Sequence, residues 1–246
     1  QLNSCLSKGP GPNFGWLLCS VWMYPHAMKL FRKARLTRPA LNSHGDRMVQ
    51  TTGSHGPDIS TQRLDDLDRA SLRHALSLDP AGLPCAIDIG CGLGAQAARL
   101  AALGVSVLMV DLVDRRERAE QINALYGKAL ARAYTGDIRA MPEDELPEAI
   151  HLAYSQRTLH YLPFLDAVEV LSRLSRRMVS GGRAFVSVAS IDSELSDGYP
   201  ARDCAVEARF ARLAPPMAEK HAVLEPLCLY REDEFAGLME RAGFSV

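Results

Sequence analysis

Seven residues, Asp88-Ile89-Gly90-Cys91-Gly92-Leu93-Gly94, hold the densest chemistry of the chain. Glycines at alternate positions let a backbone take positive φ and come close to a ligand. A helix starting there points its first N–H groups at that ligand. Asp111 lies about 20 residues past the first glycine, at the end of the next apolar run. A carboxylate at that place accepts hydrogen bonds from both hydroxyls of a ribose. A glycine turn alone says little. With a strand before it, a helix after it and an acid at the next strand's end, it points to a cofactor that contains a nucleoside. Gly90-x-Gly92-x-x-Ala95 also satisfies the dinucleotide pattern, so the residues by themselves leave a nicotinamide cofactor open.

The elements that must position this turn follow from periodicity. Leu64, Leu67 and Leu76 among charged residues predict an amphipathic helix over 59–78, ended by Pro80 and Gly82. Cys85-Ala86-Ile87-Asp88-Ile89 reads as a short buried strand, and 94–103 as a helix with Ala97, Leu100 and Ala101 on one face and Gly104 as its stop. The run 105–110 is almost wholly apolar, as in a strand covered on both faces. A polar helix over 115–126 and strands over 130–134 and 149–154 come next. A helix over 165–179 follows, with Ala167, Val170, Leu171, Leu174 and Met178 on one face and Gly181-Gly182 as its stop. The segment 183–191 reads as a strand. A last helix over 231–242 carries Glu232, Asp233 and Glu234 in its first turn, where negative charge suits the dipole, and Gly243 caps it. Strands alternating with helices predict an α/β fold: a doubly wound, mostly parallel sheet with helices on both faces. The segment 192–230 interrupts the rhythm with four prolines and a candidate helix over 203–213. Long insertions of this kind serve as lids or substrate loops.

The full turn, D-x-G-x-G-x-G, resembles motif I of the class I S-adenosylmethionine-dependent methyltransferases. Other segments fall in register with that family. Val110-Asp111-Leu112 looks like its acid after motif I, and Gly136-Asp137-Ile138 like its adenine-contacting segment. Residues 155–161, Ser155-Gln156-Arg157-Thr158-Leu159-His160-Tyr161, lie where its active-site loop follows the fourth strand. The resemblance continues through Gly181-Gly182-Arg183-Ala184-Phe185 to the last helix and spans roughly 59–246. It implies a Rossmann-like methyltransferase fold with S-adenosylmethionine as cofactor. It also implies cofactor contacts from Asp88, Gly90, Cys91, Gly92, Gly94, Asp111, Leu112, Asp137, Ile138 and Ser155. The family sheet ends in a strand hairpin, and Phe244-Ser245-Val246 reads as a strand only beginning, so that hairpin is expected to be incomplete.

Composition bounds the rest. With 246 residues, 47% hydrophobic and 23% charged, the chain has an ordinary globular balance. No apolar run reaches the ~18 residues a membrane helix needs, and a net charge of −1 gives no global case for a nucleic-acid binder. Charge is uneven: residues 1–56 carry seven basic side chains against Asp46, or +6, and the remainder carries −7. We read 1–56 as a basic, flexible extension and 57–246 as the methyltransferase domain, with 192–230 as a substrate cap. Six cysteines form no CxxC pair, and no cluster has metal-ligand spacing, so a reducing cytoplasmic setting without metal is expected.

Methyl transfer from a sulfonium needs positioning and water exclusion more than side-chain chemistry. A base matters only for an acceptor that arrives protonated. His160 is the candidate base, because it titrates near neutral pH, and Tyr161 or Tyr154 can turn a ring towards a cation. The loop lacks the Asn/Asp-Pro-Pro-Tyr/Phe pattern of amino-methylating DNA enzymes and the paired glutamates of protein arginine methyltransferases. Pro84-Cys85 precedes the first strand and is not the nucleophile of a cytosine-C5 enzyme. The expectation is an O- or N-methyltransferase of a small molecule, with the leading helix and 192–230 covering the acceptor. Two alternatives stay open: an RNA or protein methyltransferase docking through the basic arm, and a catalytically silent S-adenosylmethionine-binding regulator. The sequence leaves the oligomeric state open.

Overall fold

The computed structural model describes residues 63–246 together with His55, Gly56, Asp58 and Thr61. The basic extension expected over 1–56 lies, up to residue 54, outside the described residues. Five strands form one parallel sheet: β1 (Cys85–Ile89), β2 (Ser106–Asp111), β3 (Ala131–Thr135), β4 (Ile150–Gln156) and β5 (Met178–Ser187), in the order β3-β2-β1-β4-β5. The helices are α1 (Asp66–Leu76), α2 (Ala95–Ala102), α3 (Arg116–Tyr126), α4 (Phe164–Arg177), α5 (Pro215–His221) and α6 (Glu232–Arg241).

The period of two along each strand explains the two apolar layers. Ile87, Ile89, Leu108 and Val110 point to the side covered by Val170, Leu171 and Leu174 of α4 and Leu238 of α6. Ala86, Val107 and Met109 point to the other, covered by Ala75 of α1, Ala97 and Leu100 of α2 and Ile122 of α3. Both faces are buried, so the strands read as continuous apolar runs. The strand order reverses between β1 and β4, and the crevice beyond the carboxyl ends of such a switch point is where α/β sheets bind ligands.

Several sequence expectations are corrected. The leading helix begins at Asp66, because Asp65 caps it: its side chain accepts from the Leu67 and Asp68 amides while Asp68 accepts from the Asp65 amide. Gly181-Gly182 does not stop α4. The chain passes straight from Arg177 into β5, and the glycine pair sits in a bulge where the β4–β5 register shifts between Ile150 and Leu152. A Cβ at Gly182 would stand 3.0 Å from the carbonyls of Ile150 and Val179, so close backbone approach requires the glycine. β4 runs on to Gln156, which takes Ser155 and Gln156 out of the expected loop. The candidate helix over 203–213 is a short 3₁₀ turn at Val206–Ala208 followed by the bridge Ala211–Leu227. The helix of this insertion starts instead at the proline pair Pro215-Pro216, where missing N–H groups cost nothing.

The insertion has its own small core of Ile191, Tyr199, Leu213, Val223, Leu227 and Leu229. Arg209, 1% exposed, donates within the insertion to the Cys204 and Leu229 carbonyls and ties it to the domain through both oxygens of Glu234 in α6. Phe244-Ser245-Val246 joins no strand. Among the described residues no helix is long and apolar enough to cross a membrane.

Candidate active site

A cavity of about 750 Å³ opens at the carboxyl ends of β1, β2 and β4. Its first half is built from the glycine turn. The Gly90 and Cys91 amides both donate to the Val110 carbonyl, at 2.8 and 3.1 Å, which folds the turn back over β2. Gly90 has φ +69°, and a Cβ there would stand 2.1 Å from Oγ1 of Thr158. A Cβ at Gly92 would stand 2.6 Å from Oδ2 of Asp58. The turn is thus clasped from two sides by segments remote in sequence.

Asp111 fastens this turn to the end of β2. Its Oδ2 accepts from the Gly92 amide and its Oδ1 from the Val113 amide, both at 2.9 Å. Oδ2 also accepts from the Cys91 thiol at 4.0 Å, whereas Oδ1 keeps its second lone pair for an outside donor. Cys91 packs beneath, and burial pushes its thiol far up, so it stays a neutral core group. Leu112 is 59% exposed on the cavity rim, an apolar face ready to be covered.

Asp88 is the most informative group. It is 2% exposed and its Oδ2 has no hydrogen-bond partner. Burial raises its carboxyl to about 8, helped by the charges of Asp58, Asp111 and Asp68. A buried acid with an unanswered oxygen on a cavity wall is a place for a cation.

The other expected contacts divide. Asp137 and Ile138 line the cavity, but both oxygens of Asp137 are held by Arg139, which also reaches Asp166 at 2.8 Å. That pairing holds the Asp137 carboxyl below its usual range. Gly94 caps α2 at φ +72° and lies off the cavity wall. Ser155 is corrected outright: buried inside β4, its hydroxyl donates to the Ile89 carbonyl at 3.3 Å, and it does not line the cavity.

The second half begins at His160 and Tyr161, on a 3₁₀ turn after β4. His160 is 5% exposed, its Nδ1 has no partner, and burial lowers its imidazole to about 3. It is a neutral ring at physiological pH. Tyr161 donates to the His55 carbonyl at 2.7 Å and packs edge-on against the His55 ring. Tyr154 lines the cavity with its ring but donates its hydroxyl to Asp68 at 2.7 Å. Gln156 likewise donates to Asp65. The two carboxylates at the start of α1 therefore hold the end of β4.

The leading helix, expected over the acceptor, contributes nothing to the wall. It packs on α2 and on the flank of β4 and β5. The wall comes instead from His55, Gly56 and Asp58 just before it. The Gly56 amide donates to the Ala222 carbonyl, and Asp58 accepts from the Leu93 amide at 2.8 Å. The insertion adds Glu194, Phe210, His221, Val223 and Glu225. Glu194 pairs with Lys220 at 2.5 Å and His221 at 3.0 Å. Sequence reading missed these residues because no local pattern marks them; only the fold brings them together. Among the described residues no cluster of His, Cys, Asp or Glu could hold a metal ion.

Comparison with known proteins agrees with the geometry. A methyltransferase-domain family model matches residues 61–246. A search of curated proteins finds no match. Among solved structures, an S-adenosylmethionine-dependent methyltransferase from Clostridium acetobutylicum superposes with a TM-score of 0.52 at 14% identity, over 75% of this chain and 82% of that one. A mitomycin 7-O-methyltransferase aligns at 23% identity and TM-score 0.46, over 71% of this chain and 48% of its own. Human N-acetylserotonin methyltransferase aligns at 20% identity and TM-score 0.45, over 73% and 46%. The chain thus spans about half the length of these last two proteins. With the matched segment covering most of the chain and including the glycine turn, this protein belongs to the methyltransferase-domain family of the class I S-adenosylmethionine-dependent superfamily.

Proposed function

We propose that this domain moves a methyl group from S-adenosylmethionine to an oxygen or nitrogen atom of a small molecule. The observation that carries it is the unanswered Oδ2 of Asp88 on the wall of a cavity that runs on past His160 into the insertion. An ammonium group set against Asp88 supplies the missing partner and holds the carboxylate ionised. Oδ1 of Asp111 has a lone pair left for a ribose hydroxyl, Leu112 and Ile138 offer apolar faces for adenine, and the turn from Gly90 to Gly92 leaves the backbone room.

The sulfonium, when bound, supplies an activated methyl group and its own leaving group. The protein contributes the rest. The 192–230 segment acts as a cap that excludes water, and Arg209 fixes it to α6. His160 stays neutral and keeps a lone pair for a proton from the acceptor. Its low basicity is sufficient for an oxygen acceptor, because an O–H group that is gaining a methyl becomes strongly acidic; a nitrogen acceptor carries its proton away as an ammonium and needs no base here. The cavity volume falls within the ~300–1,000 Å³ typical of small-molecule sites.

The test is calorimetric titration with S-adenosylhomocysteine and with NAD. It is followed by incubation with methyl-labelled S-adenosylmethionine and pools of small molecules, RNA or protein. Homocysteine-analogue binding without NAD binding, and label in the small-molecule pool, are expected. NAD binding alone overturns the cofactor assignment. Label in a polymer pool moves the acceptor to RNA or protein, and tight binding with no label in any pool marks a silent regulator.

A further inference from the structure

Among the charged side chains on the acceptor half of the cavity, Arg157 stands apart. Glu194 is matched by Lys220 and His221, and Glu225 lies 4.0 Å from Arg212. Arg157 is an exposed residue on the lining of the cavity, and its guanidinium has no hydrogen-bond or ion-pair partner among the described residues. The other open guanidinium on the wall, Arg115, belongs to the cofactor half beyond Leu112, and its Nε is unpartnered.

The backbone at Arg157 is also unusual. Its φ is +55°, in the left-handed region where a side chain is strained. The other described non-glycine residues with positive φ, Leu83 and Ala222, cap helical turns. Arg157 caps nothing. Its amide donates to the Ser187 carbonyl at 3.0 Å and to the Ser187 hydroxyl at 3.1 Å, so β5 holds it in place. Strain held by neighbouring bonds at a cavity is a feature of functional positions. Burial lowers the His160 imidazole and raises the Tyr161 hydroxyl, and the nearby Arg157 charge adds to the first effect and opposes the second.

Resting on the methyl-transfer reading above, we infer that Arg157 binds a carboxylate of the methyl acceptor, and that the acceptor is an apolar molecule bearing one such group. The planar fork of a guanidinium matches a carboxylate with two parallel hydrogen bonds. Val188, Leu195, Phe210 and Val223 provide the apolar wall for the body of the molecule. The pairing also sets the acceptor's position relative to His160.

The test uses ligand-observed saturation-transfer NMR on the full chain saturated with S-adenosylhomocysteine. The probes are matched pairs: 4-hydroxybenzoate with 4-hydroxybenzamide, and phenylacetate with phenylacetamide. Acids are expected to bind about tenfold more tightly than amides, equivalent to ~1.4 kcal/mol. Arg157→Gln should erase that gap and leave S-adenosylhomocysteine affinity unchanged. Arg157→Gly should erase it too while keeping or raising Tm, because glycine relieves the positive φ; a purely structural arginine would not behave so. Equal binding of acids and amides, no binding of either, or a preference that survives Arg157→Gln overturns the inference. Failure to bind S-adenosylhomocysteine at all strikes the underlying cofactor assignment instead, and is seen before any acid is added.

Discussion

The two halves of the cavity are built in different ways. The cofactor half comes from consecutive β/α units: β1 with its glycine turn, the end of β2 with Asp111, and the end of β3 with Asp137. Its backbone is fixed mainly by bonds between adjacent strands, as where Asp111 holds Gly92, with Asp58 added from outside at the Leu93 amide. The acceptor half joins three remote segments, around His55, His160 and Val223. Its coherence depends on single long-range ties, such as Tyr161 to His55 and Arg209 to Glu234. A half made of local units is stable and legible. A half made of long-range ties can vary its acceptor without disturbing the donor site.

The largest effect should separate the halves cleanly. Arg209 and Glu234 form a buried pair, 1% and 18% exposed, and removing one member leaves the other charge without its main partner. Arg209→Met should cost about 4 kcal/mol of the insertion's stability. Limited proteolysis should then cut within 192–230 while S-adenosylhomocysteine still binds. If cofactor affinity collapses in parallel, the halves are one cooperative unit and the comparison fails.

The converse change is Asp111→Ala. It removes the acceptor of two backbone amides and the partner offered to the ribose. Affinity for S-adenosylhomocysteine should fall roughly 100-fold, close to 3 kcal/mol, as read by calorimetry. Binding within a factor of three of the parent would mean that the glycine turn holds its shape without this acid.

These outcomes bear on what the sequence could reveal. The glycine turn, Asp111 and the β/α alternation were legible because each is fixed by neighbours within one unit. Gly181-Gly182 misled, because a glycine pair after a helix signals a stop equally well whether it ends the helix or loosens a bulge three residues into a strand. Ser155 misled because β4 is longer than its apolar run, which ends at Tyr154. His55, Asp58 and Glu194 carried no signal, since nothing local requires them. The open guanidinium of Arg157 and its strained φ are properties of the folded chain alone.

Asp88 offers a pH-resolved test of the cofactor half. Its folded-state carboxyl titrates near 8, above its ordinary value of 3.8. Between those values the unfolded chain loses the proton while the folded one keeps it. Native stability therefore falls as pH rises through this window, and the full cost is reached above pH 8. Asp88→Asn should be more stable than the parent by about 5 °C at pH 8 and by nearly nothing at pH 4, with part of the gain offset by burying an amide. The same variant should weaken S-adenosylhomocysteine binding. A Tm difference that does not change with pH would remove Asp88 from the cation-binding role.

The smallest effect addresses Asp137, whose carboxylate is occupied by Arg139. If that carboxylate serves the adenine, the ion pair competes with the ligand, and Arg139→Met should strengthen S-adenosylhomocysteine binding about threefold, since a half-exposed pair is worth under ~1 kcal/mol. If Asp137 acts only as the cap of its 3₁₀ turn, where it accepts from the Arg139 amide at 2.9 Å, the affinity should not move. A weakening would show that Arg139 itself faces the ligand. The three outcomes differ in sign, so calorimetry on one variant decides whether the cofactor half extends its charged contacts to the end of β3 or stops at Asp111.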